Sequence, residues 1–307
     1  MLKKKTITII CPFFNEEKNL EVFYKRLKST LSNIDKLIEC KIAFINDGSS
    51  DKSEEIINEI KKKDEVVSLV NFTKNFGHQN AILAGLENFE SDYYITLDTD
   101  LQMPTEIIVD MVKNVQSNNY QIVYCSPKNL EYEKKFKKIL SILFYKFFSL
   151  IADFKIENAS DYWIITKKIR DLIINNNLSQ NFIRGFIHST GHKKLLINYT
   201  KERRIEGKSK YDLLKQIELG LSGIYLYFNK IYVYIFLLAF LIFMLGVIYF
   251  IWIWISYFKG SVISGWTSLA LILTVVGTII IVTNSIIIFF LQKIVSIVSK
   301  EKKYIIR

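Results

Sequence analysis

Residues 93–104, Tyr93-Tyr94-Ile95-Thr96-Leu97-Asp98-Thr99-Asp100-Leu101-Gln102-Met103-Pro104, join a strand-like apolar run to two aspartates separated by one residue. Two carboxylates at the end of a buried strand repel each other and lose hydration, so one must protonate or a cation must lie between them. Mg2+ prefers oxygen ligands and is commonly held by one or two carboxylates together with substrate phosphates. The stretch therefore indicates a metal site at a strand end. An acidic turn is the alternative, since Asp and Thr are ordinary loop residues.

The chain of 307 residues has two parts that differ in composition. Between Ile231 and Gln292 the only charged residue is Lys259, whereas the preceding part is rich in Lys, Asn, Asp and Glu. The runs 231–258 and 266–291 each exceed the roughly 20 apolar residues that are needed to cross a bilayer. We therefore predict a C-terminal hairpin of two transmembrane helices.

The charges at the ends of these runs predict their orientation. One lysine precedes the first run and the connecting loop holds one more, whereas five basic residues follow the second run: Lys293, Lys300, Lys302, Lys303 and Arg307. The positive-inside rule then places the N-terminal domain and both termini in the cytoplasm. The cysteines Cys11, Cys40 and Cys125 form no Cys-x-x-Cys pair, which suits free thiols in a reducing compartment. The sequence thus predicts an integral protein of the cytoplasmic membrane.

Strand-like runs alternate with helical patterns in the N-terminal part. We predict strands at 6–11, 41–45, 66–71, 93–97 and 122–125, and helices at 18–34, 79–89 and 104–116. This alternation predicts an α/β domain with a mostly parallel sheet, in which ligands bind beyond the carboxyl ends of the strands. The loops 12–16, 46–48 and 98–100 all follow strands and should share that edge. Any one of them could be an ordinary turn, but their convergence indicates a site.

Several motifs in this part resemble those of family 2 glycosyltransferases, in particular the polyisoprenyl-phosphate branch that includes dolichol-phosphate mannose synthase and bactoprenol glucosyltransferase. In chain order they are Cys11-Pro12-Phe13-Phe14-Asn15-Glu16-Glu17, Asn46-Asp47-Gly48-Ser49-Ser50-Asp51, Asn75-Phe76-Gly77-His78, Ala84-Gly85-Leu86 and Asp98-Thr99-Asp100-Leu101-Gln102-Met103-Pro104. Arg184-Gly185 follows, and Tyr199, Arg204, Gly207, Ser209, Lys210 and Tyr211 resemble the late motif of that branch. Together these matches cover nearly the whole N-terminal domain.

The resemblance implies a Rossmann-like GT-A fold, a nucleotide-sugar donor, a Mg2+ or Mn2+ ion and inversion at the sugar carbon. By position, the nucleoside would contact Pro12, Phe14, Glu16, Ile45 and Asp47. The diphosphate and metal would contact Asp98, Thr99, Asp100 and Gln102, with Asp98, Asp100 and Gln102 as the metal ligands. Arg204 and Lys210 would neutralise phosphates, although a solvated basic face is the alternative for these two. Asp100 and Asp161 would be the catalytic residues.

Asp161 matches the position of an Asp that is often assigned as the base in this branch. A lipid monophosphate is already substantially ionised near neutral pH, because its second pKa is about 6. A strong base is then unnecessary, and Asp161 could instead position the acceptor or pair with Arg204 or Lys210. Both roles stay open at this point.

The predicted organisation has four parts. Residues 1–210 form the GT-A domain, 211–229 a juxtamembrane interfacial helix, 230–292 the two membrane helices and 293–307 a basic cytoplasmic tail. Residues 133–151 and 211–229 combine lysines with apolar residues, which favours helices that lie in the bilayer interface, with ordinary helix packing as the alternative. The net charge of +11 suits an anionic lipid surface better than nucleic acid, for which no motif is present.

The expected function is transfer of a sugar from a UDP- or GDP-linked donor to a polyisoprenyl phosphate at the cytoplasmic face of the membrane. The alternatives are transfer to a glycan or glycerolipid hydroxyl, and a non-catalytic membrane scaffold that keeps the fold. A homo-oligomer and a flippase are further candidate partners. Four departures from the branch pattern bear on the sugar and the acceptor: Asn46 for Asp, Trp163 for Arg, Ser189 for Trp, and Ser126-Pro127-Lys128 for a Gly-Ser-Arg segment.

Overall fold

The computed structural model divides the chain into two compact units, Met1–Tyr227 together with Glu301–Arg307, and Phe228–Lys300. It describes residues 4–34, 38–117, 119–128, 160–175, 183–202, 231–260, 265–298 and 304–307. The last four described residues belong to the first unit although they follow the second in sequence. The two predicted interfacial segments, Arg204 and Lys210 all lie outside the described residues.

The described part of the first unit forms one sheet of seven strands. The strands are β1 Lys5–Phe13, β2 Ile38–Asn46, β3 Val67–Asn71, β4 Tyr93–Thr96, β5 Ile122–Pro127, β6 Trp163–Thr166 and β7 Lys194–Tyr199. Their order across the sheet is β3-β2-β1-β4-β6-β5-β7. All neighbours pair in parallel except β6, which runs antiparallel to both β4 and β5. The predicted mostly parallel sheet is confirmed.

Helices cover both faces of this sheet. They are α1 Leu20–Leu31, α2 Ser53–Lys63, α3 His78–Asn88, α4 Ile107–Gln116, α5 Lys167–Asn175 and α6 Ile183–Ser189. One apolar cluster joins α1 and α4 to one face, with Phe23, Leu27 and Met111 among its buried members. A second joins α3, α5 and α6 to the other face. A sheet that is buried on both sides explains why its central strands read as continuous apolar runs.

The α3 helix approaches the sheet most closely at Gly85. A Cβ atom added there would lie 2.4 Å from Cγ2 of Ile10 on β1, a distance that side chains do not adopt. The helix that begins with His78 is therefore held against the middle of the sheet, and its first turn is fixed at the carboxyl edge.

The second unit contains α7 Ile231–Phe258 and α8 Trp266–Val298. Within the described residues, Phe240–Phe258 and Ser268–Leu291 are long and apolar enough to cross a membrane. A Cβ atom on Gly246 would lie 2.1 Å from Cγ2 of Thr274, so the two helices approach closely at a small residue, as packed membrane helices commonly do. Most of their large apolar side chains are exposed, as expected of surfaces that face lipid. The two helices form the candidate membrane hairpin that the composition predicts.

Candidate active site at the carboxyl edge of the sheet

Loops from four strands meet at one edge of the sheet. The loops after β1, β2 and β4 leave at their carboxyl ends, and β6 begins at the same edge because it runs in the opposite direction. This reversal brings Asp161, which lies just before β6, to the edge that carries Asp47 and Asp98. The predicted convergence of the acidic loops therefore holds, with Asp161 joining them through an antiparallel strand.

The loops after β1 and β2 are bonded to each other. Asn15 donates its backbone N–H to Oγ of Ser49 at 2.9 Å, and its side-chain oxygen accepts the N–H of Ser50 at 2.8 Å. Glu16 donates its backbone N–H to Oγ of Ser53 at 2.9 Å. Asn15 has a φ of 54°, in the left-handed region that Asn tolerates better than most residues. The predicted nucleoside residues Phe14 and Glu16 thus lie on a fixed loop, while Pro12 and Ile45 are register partners at its base.

Asp47 is nearly enclosed, with 4% of its surface exposed. Its carboxylate accepts the backbone N–H of Phe76 at 2.7 Å and that of Gly77 at 3.0 Å, at the start of α3. Gly48, with a φ of 72°, lies so close to the same loop that a Cβ atom would be 2.4 Å from the carbonyl carbon of Lys74. Asp47 therefore ties the β2 loop to residues 74–77.

The loop after β4 makes a sharp turn at Leu101. This buried residue has a φ of 62°, which is uncommon for a residue with a bulky side chain and costs of order 1–3 kcal/mol. Within the turn, Asp100 accepts the backbone N–H of Gln102 at 3.1 Å, and the carbonyl of Gln102 accepts the N–H of Glu202 at 3.0 Å. Thr99 is buried and its hydroxyl reaches the carbonyl of Pro12 at 3.5 Å. Strained backbone of this kind clusters at functional sites.

Asp161 lies at the centre of a charged cluster. Its carboxylate accepts a bidentate pair of bonds from Arg184, at 2.6 Å to Nη2 and 3.2 Å to Nε, and another at 2.9 Å from the amide of Gln79. Nε2 of His78 lies 3.5 Å from Asp161 and 3.4 Å from Asp98. We call these five residues, His78, Gln79, Asp98, Asp161 and Arg184, the Asp161 cluster. It joins the end of β4, the start of β6 and the helices α3 and α6.

The pKa values within the cluster follow from burial and from neighbouring charges. Burial raises the pKa of Asp161, but Arg184 and His78 outweigh it and hold that pKa well below the ordinary range. Burial also opposes protonation of His78, yet Asp98 and Asp161 raise its pKa to about 9. Burial raises the pKa of Asp98 to about 6; the charge of His78 opposes this rise, and the like charges of Asp100 and Asp161 add to it. Asp98 has one cationic contact, with His78, whereas Asp161 has two, with His78 and Arg184.

The chemistry of this edge fits a divalent cation. Three carboxylates, Asp98, Asp100 and Asp161, meet two cationic side chains, His78 and Arg184, and both cations are already directed at Asp161. Among the residues that the structure describes, no group of three or more His, Cys, Asp and Glu side chains is assembled to hold a metal by itself. Mg2+ and Mn2+ sites that also use substrate phosphates need only one or two carboxylates. Asp98 and Asp100 meet that requirement.

From the sequence, roles are assigned to Asp98 and Asp161 but not to the three other residues of the Asp161 cluster. His78 stands in one of the motifs quoted above, and Arg184 in another, yet neither was assigned a role; Gln79 follows His78 directly. Asn46, which stands where the family pattern has an aspartate, makes two hydrogen bonds of its own. Its amide donates to Oδ1 of Asn71 at 3.0 Å, and its side-chain oxygen accepts the N–H of Ser49 at 2.8 Å. An aspartate could not donate the first of these bonds.

Comparisons with known proteins identify the family to which this chain belongs. The profile of "Glycosyl transferase family 2" matches residues 8–191. The chain is 30% identical to an uncharacterized glycosyltransferase, YkcC, of Bacillus subtilis over 98% of this chain and 93% of that protein. It is also 30% identical to a prophage bactoprenol glucosyl transferase homolog of Escherichia coli, over 98% of both chains. Among solved structures, glucosyl-3-phosphoglycerate synthase from Mycobacterium tuberculosis in complex with Mn2+, UDP-glucose and phosphoglyceric acid has a TM-score of 0.49 at 14% identity, over 72% of this chain and 78% of that one.

Proposed function

Because this chain belongs to glycosyl transferase family 2, we propose that it transfers a sugar from a UDP- or GDP-linked donor to a polyisoprenyl phosphate, with inversion at the sugar carbon. The observation that carries the proposal is the Asp161 cluster, in which Asp98 and Asp161 share His78 at the carboxyl edge of the sheet. In this proposal Asp98 and Asp100 would serve the departing diphosphate, and Arg184 the arriving phosphate. A candidate membrane hairpin in the same chain gives access to a lipid substrate.

Asp98, Asp100 and Gln102 would hold the donor diphosphate through Mg2+ or Mn2+. A divalent ion bound there neutralises the charge that grows on the nucleoside diphosphate as it leaves. The raised pKa of Asp98 supports this role, because a carboxylate that burial and like charges disfavour gains most from a nearby cation. The strained turn at Leu101 follows directly after Asp100. Phe14, Glu16, Asp47 and the residues near the strand ends, Pro12 and Ile45, would contact the nucleoside.

Asp161 would act as a positioning residue and not as a base. A carboxylate whose pKa lies well below the ordinary range is a poor proton acceptor, and this one is already bonded to Arg184 and Gln79. A guanidinium that is fixed in this way is suited to bind a phosphate by its planar fork. An oxygen of the acceptor phosphate would attack the anomeric carbon, while the bond from that carbon to the donor diphosphate breaks and the nucleoside diphosphate leaves.

The pKa of Asp161 also separates the two catalytic alternatives. A phosphate acceptor is largely ionised near neutral pH, since its second pKa is about 6, and needs no base. A glycan or glycerolipid hydroxyl must lose a proton as it attacks, which requires a base whose pKa lies near the working pH. Asp161 does not meet that requirement, which favours the phosphate acceptor. The name of the Escherichia coli relative, a bactoprenol glucosyl transferase homolog, supports the same acceptor class.

The membrane arrangement of the proposal follows from connectivity and charge. The first unit contains both the residues that precede α7 and residues 304–307, which follow α8. If α7 and α8 each cross the bilayer, both ends of the hairpin emerge on the side where this unit lies. The positive-inside rule assigns that side to the cytoplasm. Arg204, Lys210 and the interfacial segments 133–151 and 211–229 stay predictions, as do a homo-oligomer and a flippase partner.

One assay tests the proposed function. The full-length protein in detergent is incubated with labelled UDP- and GDP-sugars, a polyprenyl phosphate and Mg2+ or Mn2+, with and without chelator. We expect a labelled lipid that requires metal and retains one phosphate. Label in a hydroxyl acceptor but not in the phosphate lipid would establish the alternative acceptor, and no turnover with any donor would favour a scaffold.

A further inference from the structure

Residues 304–307 belong to the first unit, although they follow the candidate membrane hairpin in sequence. Ile306 pairs with Phe72 in an antiparallel bridge, just beyond the end of β3. Thr73 donates its backbone N–H to the carbonyl of Ile305 at 3.0 Å, and Arg307 donates its backbone N–H to the carbonyl of Asn71 at 2.8 Å. β3 is the edge strand of the sheet, so these bonds cover backbone groups that an edge would otherwise leave open.

Side chains anchor this segment more firmly than its length suggests. Tyr304 is 6% exposed and stacks on Phe72, with 5.0 Å between the ring centroids. Its hydroxyl donates to a carboxylate oxygen of Glu87 and accepts from the amide of Asn88 at 3.3 Å, both on α3. Tyr304 is therefore a member of the apolar cluster that packs α3 against the sheet. The predicted basic tail ends in a segment that is partly core.

Two chains of contacts lead from this segment to the loop that holds Asp47. In the first, Phe72 lies between Tyr304 and Phe76, with 5.6 Å between the Phe72 and Phe76 centroids, and the N–H of Phe76 bonds to Asp47. In the second, Arg307 pairs with Glu54 at 3.3 Å, and Glu54 accepts the amide of Asn71 at 3.0 Å. Asn71 in turn accepts the amide of Asn46, the neighbour of Asp47.

We infer that residues 304–307 are a positioning segment for the donor nucleoside loop. The segment fixes residues 71–77. These residues in turn form the hydrogen bonds to Asn46 and Asp47 that are described above. Assignment of Asp47 to the nucleoside rests on the proposed function; the docking itself rests on the contacts alone. Since the segment follows the second membrane helix, the donor loop is completed by residues on both sides of the hairpin in sequence.

The decisive variant is Tyr304→Ala in the full-length protein. It removes the stack on Phe72 and the bonds to α3, so residues 71–77 lose their outer support. We expect the donor KM to rise about 10-fold with kcat within about two-fold, because an interaction with the loop and not with the reacting atoms is lost. Amide exchange at residues 72–77 should quicken in parallel. Tyr304→Phe keeps the stack and should retain most of the donor affinity.

A second variant changes only the backbone, in case Tyr304→Ala fails to fold. Arg307→Pro removes the N–H that Asn71 accepts, whereas Arg307→Gln keeps that N–H and loses only an exposed ion pair. We expect the proline to raise the donor KM about three-fold more than the glutamine does. Ile305→Ser is the matched control within the segment, because its side chain is 60% exposed and its carbonyl is retained.

The outcomes distinguish this inference from the proposed function. Binding of UDP and GDP to each protein is measured by calorimetry with Mn2+ present. If the wild type binds a nucleotide and Tyr304→Ala binds it equally well, with unchanged exchange at residues 72–77, the inference is wrong and the proposed function stands. An equal fall in kcat and donor affinity, with a lower melting temperature, would also overturn it in favour of general stability. If the wild type binds neither nucleotide, the proposed function is wrong. The claim that residues 304–307 support donor binding is then overturned as well.

Discussion

Asp47 and Asp161 lie at the same edge of one sheet and are almost equally enclosed, with 4% and 6% of their surface exposed, but they are held by opposite means. Asp47 is bonded by the neutral backbone amides of Phe76 and Gly77. Asp161 is bonded by the cationic side chains of Arg184 and His78, besides Gln79. The difference is between a carboxylate that shapes the backbone of a loop and one that fixes charged side chains.

This contrast suggests a division of labour along the edge. Around Asp47, the partners are backbone amide groups that do not themselves titrate. Around Asp161, removal of one partner leaves a buried charge uncompensated, which costs about 3–5 kcal/mol in comparable pairs. We therefore expect changes at Asp161 to act on turnover, and changes at Asp47 to act on the donor loop and on stability.

The largest expected effect is that of Asp161→Asn. The amide cannot balance the charges of Arg184 and His78, so the guanidinium loses its fixed orientation towards the acceptor. We expect kcat to fall about 100-fold or more, with the donor KM within about two-fold of wild type. Steady-state kinetics with varied donor measure both. Asp110→Asn, at an exposed carboxylate on α4, is the control and should leave turnover unchanged.

A double-mutant cycle sharpens the same point. If Asp161 acts by positioning Arg184, then Arg184→Gln and Asp161→Asn should each lose most of the activity, and the double variant should lose little more than either alone. Independent, multiplying losses would indicate that Asp161 has a role of its own, such as proton transfer. Unchanged turnover in Asp161→Asn would remove the residue from the catalytic set altogether.

A smaller and different effect is expected of Asp47→Ala. Two buried backbone N–H groups lose their acceptor, which should lower the free energy of unfolding by about 1–3 kcal/mol. The donor KM should rise while kcat changes less, and Asp47→Asn, which keeps one carbonyl acceptor, should fall between Asp47→Ala and wild type. Thermal melting of the full-length protein and donor kinetics provide the measurements. A fall in kcat as large as that of Asp161→Asn, at unchanged stability, would contradict the contrast between the two aspartates.

The fold was predictable where local sequence decides it. β1, β2 and β4 are largely buried and are followed by turn residues such as Gly48, so their apolar runs stand out. The two apolar helices were predicted for the same reason. β6 and β7 were not predicted. The place of β6 between β4 and β5 depends on pairing with strands that are distant in sequence. No local pattern specifies an antiparallel insertion into a parallel sheet.

The site shows the same limit. The rule that ligands bind beyond strand ends predicted that Asp47 and Asp98 would share an edge. The partners of Asp161 could not be predicted, because His78 and Arg184 reach it from the first turns of two different helices. The resemblance contained a signal for both residues in the motifs around Gly77 and Gly185. The sequence signal for residues 304–307 was weaker. Tyr304-Ile305-Ile306 is an apolar run within a basic tail, which is unusual for a solvated segment.

The last expected effect is an acid sensitivity of stability that is confined to the Asp161 side. His188 lies one turn after Arg184 on α6, is buried, and contacts the ring of Tyr124 edge-on at 4.7 Å between centroids. Burial, and then the positive charges of Lys194 and Arg184, lower its pKa to about 4. The unfolded chain takes up this proton near pH 6.5, whereas the folded chain does not until about pH 4. Stability is therefore lost as the pH falls through that interval.

Melting of the full-length protein at pH 7 and pH 5 tests this expectation. Between pH 7 and pH 5 we expect this group to lower the free energy of unfolding by about 2 kcal/mol, or the melting temperature by several degrees. His188→Phe should abolish this contribution, because phenylalanine keeps the aromatic contact but takes up no proton. If wild type and His188→Phe respond equally to acid, the buried histidine is not the cause. Amide exchange locates the effect: at pH 5, α6 should open before residues 72–77, whose bonds to Asp47 do not depend on a histidine. Equal opening of both regions would mean that the two sides of the edge unfold as one unit. The two aspartates would then differ in their bonding partners but not in the local stability of their surroundings.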